Sequence, residues 1–159
     1  MGWTGHGIYD GDDTQTSVWS FLQWAEWKGG KRKWADADED AISEAMIWKK
    51  TYQKTILTKD MKEAILFGLD KILKKMPKVK QSKIGSKYFT DDDNAIEWQM
   101  LLALFLDNGL EIPKDVYDNG VLATEFLMGE HAADFNSPSA RRRILKNFIK
   151  KAEKHYHGD

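Results

Sequence analysis

Residues 91–108 read DDDNAIEWQMLLALFLDN, and this stretch decides the fold. Its three aspartates suit a helix N-terminus, where carboxylates complement the dipole and accept from spare N–H groups. Thr90 ahead of them completes a Thr-x-x-Asp pattern close to a capping box. From Ala95 to Leu106 the residues are apolar almost all round: Ile96, Trp98, Met100, Leu101, Leu102, Leu104, Phe105 and Leu106. A helix with no polar face needs partners on every side, so it is central. Asn108-Gly109 is the usual way for such a helix to end.

Outward from that element, nearly every segment reads as helix. The first starts after Asp13 or Thr16, carries Val18, Leu22 and Ala25, and gains width from Trp19, Phe21 and Trp24. GGKRK at 29–33 is a turn and loop. A second helix opens in the acidic run at 36–40 and continues through Ile42, Ala45 and Met46 toward Tyr52. Thr58 is a good N-cap for a third, with Met61, Ile65, Leu69, Ile72, Leu73 and Met76 on one stripe and Pro77 beyond it. Pro113 suits the first position of a helix running to about Met128, and Ser137-Pro138 repeats the start signal for the last. There Ile144, Leu145, Phe148, Ile149 and Ala152 face inward. The segment at about 77–89 reads as a basic loop with room for at most one short strand. The expected architecture is all-α: a single domain over 1–159, a bundle of about six helices around the central one at about 91–108.

A chain of 159 residues can bury a real core without staples. Seven tryptophans predict a core rich in indole packing. The absence of cysteine removes disulfides, zinc–thiolate sites and thiol catalysis, and suits a reducing cytoplasm. The first residues lack the apolar run of a signal peptide, and MLLALFL at 100–106 is too short to span a bilayer. The expectation is therefore a cytoplasmic protein with no membrane association. The formal net charge of −1 hides strong segregation: −5 over 1–48, +9 over 49–90, −10 over 91–136 and +5 over 137–159. Such blocks either pair with one another or form faces that steer partners.

The opening, MGWTGHGIYDGDDTQ, invites four ligand readings. Gly5, Gly7 and Gly11 are one residue too widely spaced for a dinucleotide fingerprint, and no strand precedes them. No Gly-Lys-Ser/Thr comes after them, so the opening is not a phosphate-binding P-loop. An EF-hand starting at Asp10 needs glycine and glutamate where the chain has Gln15 and Phe21. Myristoylation needs Ser or Thr where His6 stands. Asp10, Asp12 and Asp13 are read first as caps of the following helix. The metal alternative joins them to His6 and to His131, which stands one helical turn before Asp134. No nucleophile elbow or other intact catalytic motif is present, and no cofactor is implied.

Two basic segments are nucleic-acid candidates. One holds Lys71, Lys74, Lys75, Lys78, Lys80, Lys83 and Lys87, ending in Tyr88 and Phe89 as stacking residues. The other is the last helix, where Arg142, Lys146 and Lys150 share a face with Arg143 and Lys154. A pI near 6.4 and two acidic blocks weigh against a dedicated DNA-binding domain.

The opening resembles that of a bacterial family known as a domain of unknown function, whose members begin close to Met-Gly-Ala-Trp-Gly-x-Gly-x-Phe-Asp-Asn-Asp. Trp3, Gly5, Gly7, Tyr9, Asp10, Asp12 and Asp13 stand in a similar arrangement, with the tryptophan one position early and Thr4 after it. AIEWQMLLALFLDNGLEIPKDV, from residue 95, is similar to that family's second half. The resemblance implies a small helical bacterial or phage-associated protein, with Trp3 and Tyr9 tucked into the bundle, and brings no catalytic residues. The leading expectation is a non-enzymatic protein of inhibitor, immunity or regulatory type that binds a protein partner. Its alternatives are a metal-dependent hydrolase using the His/Asp cluster and a nucleic-acid-binding module using the basic segments.

Overall fold

The computed structural model describes residues 13–29, 33–45, 47–49, 54–76, 80–81, 87–88, 92–135 and 137–158. Across them the chain is an all-α bundle around the predicted central helix, with two short hairpins added. Helix α1 (Asp13–Ala25) buries Val18, Phe21, Leu22 and Ala25. It also anchors the segment after it. Gln23 Nε2 donates to the carbonyls of Trp34 (3.0 Å) and Ala37 (3.1 Å), and the Trp19 indole N–H donates to Ala37 O (3.2 Å). These bonds hold a 3₁₀ turn, Trp34–Asp36, with Trp34 buried against the bundle.

Asp38 caps α2 (Glu39–Ala45) by accepting from Ala41 N at 2.8 Å. The helix does not run on toward Tyr52. Ile47–Lys49 is a strand, β1, paired antiparallel with β2 (Lys54–Ile56) in the register Ile47↔Ile56, Trp48↔Thr55, Lys49↔Lys54. A short run of Ile, Trp and Thr satisfies either period, and the antiparallel cross-strand pairing decides for strand here. Met46 and Tyr52 lie outside the described residues.

Thr58 caps α3 (Lys59–Phe67) as expected, its hydroxyl accepting from Met61 N at 3.2 Å. The predicted continuous helix breaks at Gly68 and resumes as α4 (Leu69–Lys75). The break has a cause in packing. A Cβ at residue 68 would stand 2.4 Å from the Cα and O of Ala25, so only glycine lets the joint press on the end of α1.

The basic segment at about 77–89 contains a second hairpin rather than a plain loop: β3 (Lys80–Gln81) pairs antiparallel with β4 (Lys87–Tyr88). The capping pattern at Thr90 lies outside the described residues. Helix α5 (Asp92–Asp107) is the expected centre, with Ala95, Ile96 and Trp98 through Phe105 all buried. It packs chiefly on α6, and also meets α1, α8 and β2. Gly109 ends it in the left-handed region, φ 66°, as Asn-Gly predicts. Asn108 adds a tie: its Oδ1 accepts from Leu57 N (2.9 Å) while its Nδ2 donates to Leu104 O (2.9 Å).

Pro113 is the cap of α6 (Lys114–Leu127), one residue earlier in role than predicted. A short α7 (Glu130–Ala133) leads to α8 (Pro138–His157), whose Ser137 cap accepts from Ala140 N. Eight α-helices thus replace the expected six among the described residues, through the break at Gly68 and the added α7. Of the tryptophans whose surroundings are described, Trp34 and Trp98 are buried, while Trp19, Trp24 and Trp27 are half-buried against the core. No helix among the described residues is long and apolar enough to cross a membrane.

Candidate interaction surfaces

The metal hypothesis falls mostly outside the described residues: Trp3, Gly5, His6, Gly7, Tyr9, Asp10 and Asp12 are not among them, and Asp13 is known only as the first residue of α1. His131 lies on α7, half-buried, with its ring edge-on to Phe135 at 5.5 Å and 66°. Among the described residues no three His, Asp or Glu side chains are grouped to hold a metal ion.

The first basic segment is divided among separate elements. Lys71 pairs with Glu26 at 3.6 Å, tying α4 to the end of α1. Lys74 and Lys75 are exposed in the last turn of α4, where they complement the helix dipole. Lys80 and Lys87 lie on opposite strands of the second hairpin, in adjacent register positions, and Lys78 and Lys83 are outside the described residues. The segment does not form one continuous helical face.

The second basic segment holds together. In α8 the residues facing the bundle are Arg141, Leu145, Phe148 and Ala152, at the i, i+4, i+7, i+11 spacing of one narrow seam. The opposite half carries Arg142, Arg143, Lys146, Lys150, Lys151 and Lys154, all exposed. Among the described residues no carboxylate pairs with any of them. Arg142 alone is engaged: Nε donates to Met128 O (2.8 Å) and Nη2 to Gly129 O (3.3 Å), closing the end of α6. Arg141, which belongs to the same basic run, is not part of this face. It is fully buried, with its guanidinium over the Phe135 ring at 4.5 Å to the centroid.

A feature not anticipated is the end of α3. Leu66 is 48% exposed and Phe67 65% exposed, the two large apolar side chains left open among the described residues. The signal was present. On a helical wheel Phe67 falls opposite the Met61–Ile65 stripe, where a soluble helix places polar residues. Glu63, Asp70, Lys71, Lys74 and Lys75 are the exposed charged residues that flank the pair along α3 and α4. Leaving a Leu or Phe side chain in water forgoes about 1.5–3 kcal/mol of burial each.

The far end of α8 makes a third cluster. Tyr156 stacks on Tyr117 of α6 with centroids 4.0 Å apart and planes 6° from parallel, and His157 meets both rings edge-on. Burial pushes the Tyr117 phenol above its ordinary range, and the carboxylates of Glu153 and Asp118 and the Tyr156 phenol add to that. Lys114 donates to Asp118 one turn on, and that bond raises the ammonium pKa. Together the stack and the His155 Nε2 bond to Leu110 O (3.2 Å) fasten the C-terminal turn of α8.

Compared with protein-family models, with curated proteins and with solved structures, the chain matches none.

Proposed function

We propose that the chain is a non-enzymatic interaction protein of inhibitor, immunity or regulatory type, and that it docks a protein partner on the exposed face of α3 and α4. The observation that carries this is the open pair Leu66 and Phe67 on a bundle whose other large apolar side chains are covered or half-covered among the described residues. An exposed aromatic anchor on a helix flanked by charged residues suits a protein interface, where a few apolar residues supply most of the binding energy. Lys74 and Lys75, exposed in the last turn of α4, favour a partner that carries acids beside its apolar pocket. The bacterial or phage-associated setting rests on the resemblance of 1–13 and 95–116 to a family of unassigned activity.

The test is a double variant, L66S/F67S. Both side chains are exposed, so the change in stability stays within roughly 0.5 kcal/mol. A protein that co-purifies with the unaltered chain at low salt is expected to be lost from the variant. Retention of the same partner by L66S/F67S at unchanged affinity overturns the reading.

A further inference from the structure

We infer that α8 carries a second, separate binding surface: its exposed basic half takes the phosphate backbone of duplex DNA. The strip is built by helical geometry. Lys146, Lys150 and Lys154 recur every fourth residue, about 6 Å apart along the axis, with Arg143 and Lys151 beside them. Glu153 is the one acid on this half of the helix, and it and Asp118 of α6 lie near Tyr117, where that ring meets Tyr156.

Chemistry chooses among the anionic partners. The exposed half of α8 contains no apolar side chain between Arg142 and Lys154. A protein interface needs an apolar or aromatic anchor at its centre and is depleted of lysine there. A membrane-surface helix needs Leu, Phe or Trp to enter the acyl boundary. Single-stranded nucleic acid needs aromatic platforms for its bases. A duplex backbone needs only correctly spaced cations, and interfaces with it are polar and strongly positive. Among the described residues five of the six bases have their donors free, since Arg142 spends its own on Met128 and Gly129. This surface does not depend on Leu66 and Phe67, so it stands or falls apart from the docking face on α3.

The experiment is fluorescence anisotropy of a labelled duplex of about two helical turns against the full chain, titrated with salt. Five backbone contacts predict that affinity falls about 500-fold between roughly 50 and 200 mM salt. The variant K146Q/K150Q/K154Q, whose side chains are exposed and have no ion-pair partner among the described residues, is expected to reduce that fall to about 10-fold. Its circular dichroism should match the unaltered chain, and L66S/F67S should bind the duplex unchanged. No binding at roughly 50 mM salt overturns the proposal. An unaltered salt dependence in the triple variant does so as well. Tighter binding of an acidic polypeptide, of phosphatidylserine vesicles or of the single strand in the same buffer also overturns it, in favour of that partner.

Discussion

Gly120 of α6 lies against Leu102 of α5 so closely that a methyl group at residue 120 would stand 2.6 Å from Leu102 Cβ and Cδ2. The obstacle includes Cβ, which cannot swing away as a side-chain tip can. Two effects compete in Gly120→Ala. Helix propensity improves by about 1 kcal/mol, while overpacking a filled core costs about 1–3 kcal/mol. Net destabilisation by denaturant titration is the expected result, with partial recovery when Leu102→Ala is added to the same chain. A stabilised Gly120→Ala would show that the two helices can part at little cost.

Gly68→Ala ranks as the more severe change. Its added carbon would meet the Cα and carbonyl oxygen of Ala25 at 2.4 Å, and backbone yields less readily than a leucine side chain. The loss should exceed that of Gly120→Ala in the same titration. Because the joint between α3 and α4 rests on the end of α1, the Lys71–Glu26 pair should weaken with it. Equal or smaller destabilisation at 68 contradicts this order.

Legibility in the sequence depended on how much of each element's cause is local. Residues 92–107 form a helix and occupy the centre because their composition allows nothing else, and Thr58 and Ser137 announce the helices they cap. The hairpin of Ile47–Lys49 with Lys54–Ile56 was not legible, since short apolar runs satisfy either period and cross-strand pairing decides. The break at Gly68 depends on Ala25, a residue remote in the chain. At the surfaces, Lys146 and Lys150 were placed correctly by the wheel alone. Arg141 is the counter-case: charge alone argues for solvent, whereas its position on the Leu145–Phe148–Ala152 seam puts it inside.

Gln99 is fully buried in the middle of α5. Its Nε2 reaches Thr124 Oγ1 at a long 3.4 Å, Thr124 donates to Gly120 O at 2.8 Å, and Gln99 Oε1 has no hydrogen-bond partner among the described residues. An unsatisfied buried acceptor costs about 1–3 kcal/mol, more than a long amide–hydroxyl bond returns. Gln99→Met, close in shape and free of the carbonyl, is therefore expected to raise the midpoint of denaturation. A marked loss of stability would show that the amide is satisfied and contributes to the α5–α6 seam.

Asn108→Ala should act in the opposite sense. The side chain joins Leu57 N to Leu104 O, so its removal strands a part-buried N–H at the end of β2 and loosens the last turn of α5. The two lost bonds imply a cost of about 1–3 kcal/mol. Hydrogen exchange at Leu57 should accelerate by more than exchange in the middle of α5. Uniform acceleration across both would mean that Asn108 contributes only to global stability.

The Tyr117–Tyr156 stack makes an alkaline prediction whose sign is fixed by the neutral phenol. Burial first, then Glu153, Asp118 and Tyr156, raises the Tyr117 pKa in the folded chain above its ordinary value of about 10. The fold thus binds the phenolic proton more tightly than the unfolded chain does. Its stabilising contribution is complete below about pH 10 and is lost as the pH rises through the higher folded value. Lys114 is also raised, chiefly by its hydrogen bond to Asp118, and has the same sign, but it is common to both chains in the comparison that isolates the phenol. Tyr117→Phe keeps the ring stack and removes the titrating group. Between about pH 9 and 11 the unaltered chain should lose stability more steeply than the Phe variant. Phenolate absorbance should show one tyrosine titrating late in the unaltered chain and absent from the variant. Parallel stability curves, or a late-titrating tyrosine that survives the substitution, would place the perturbed phenol elsewhere.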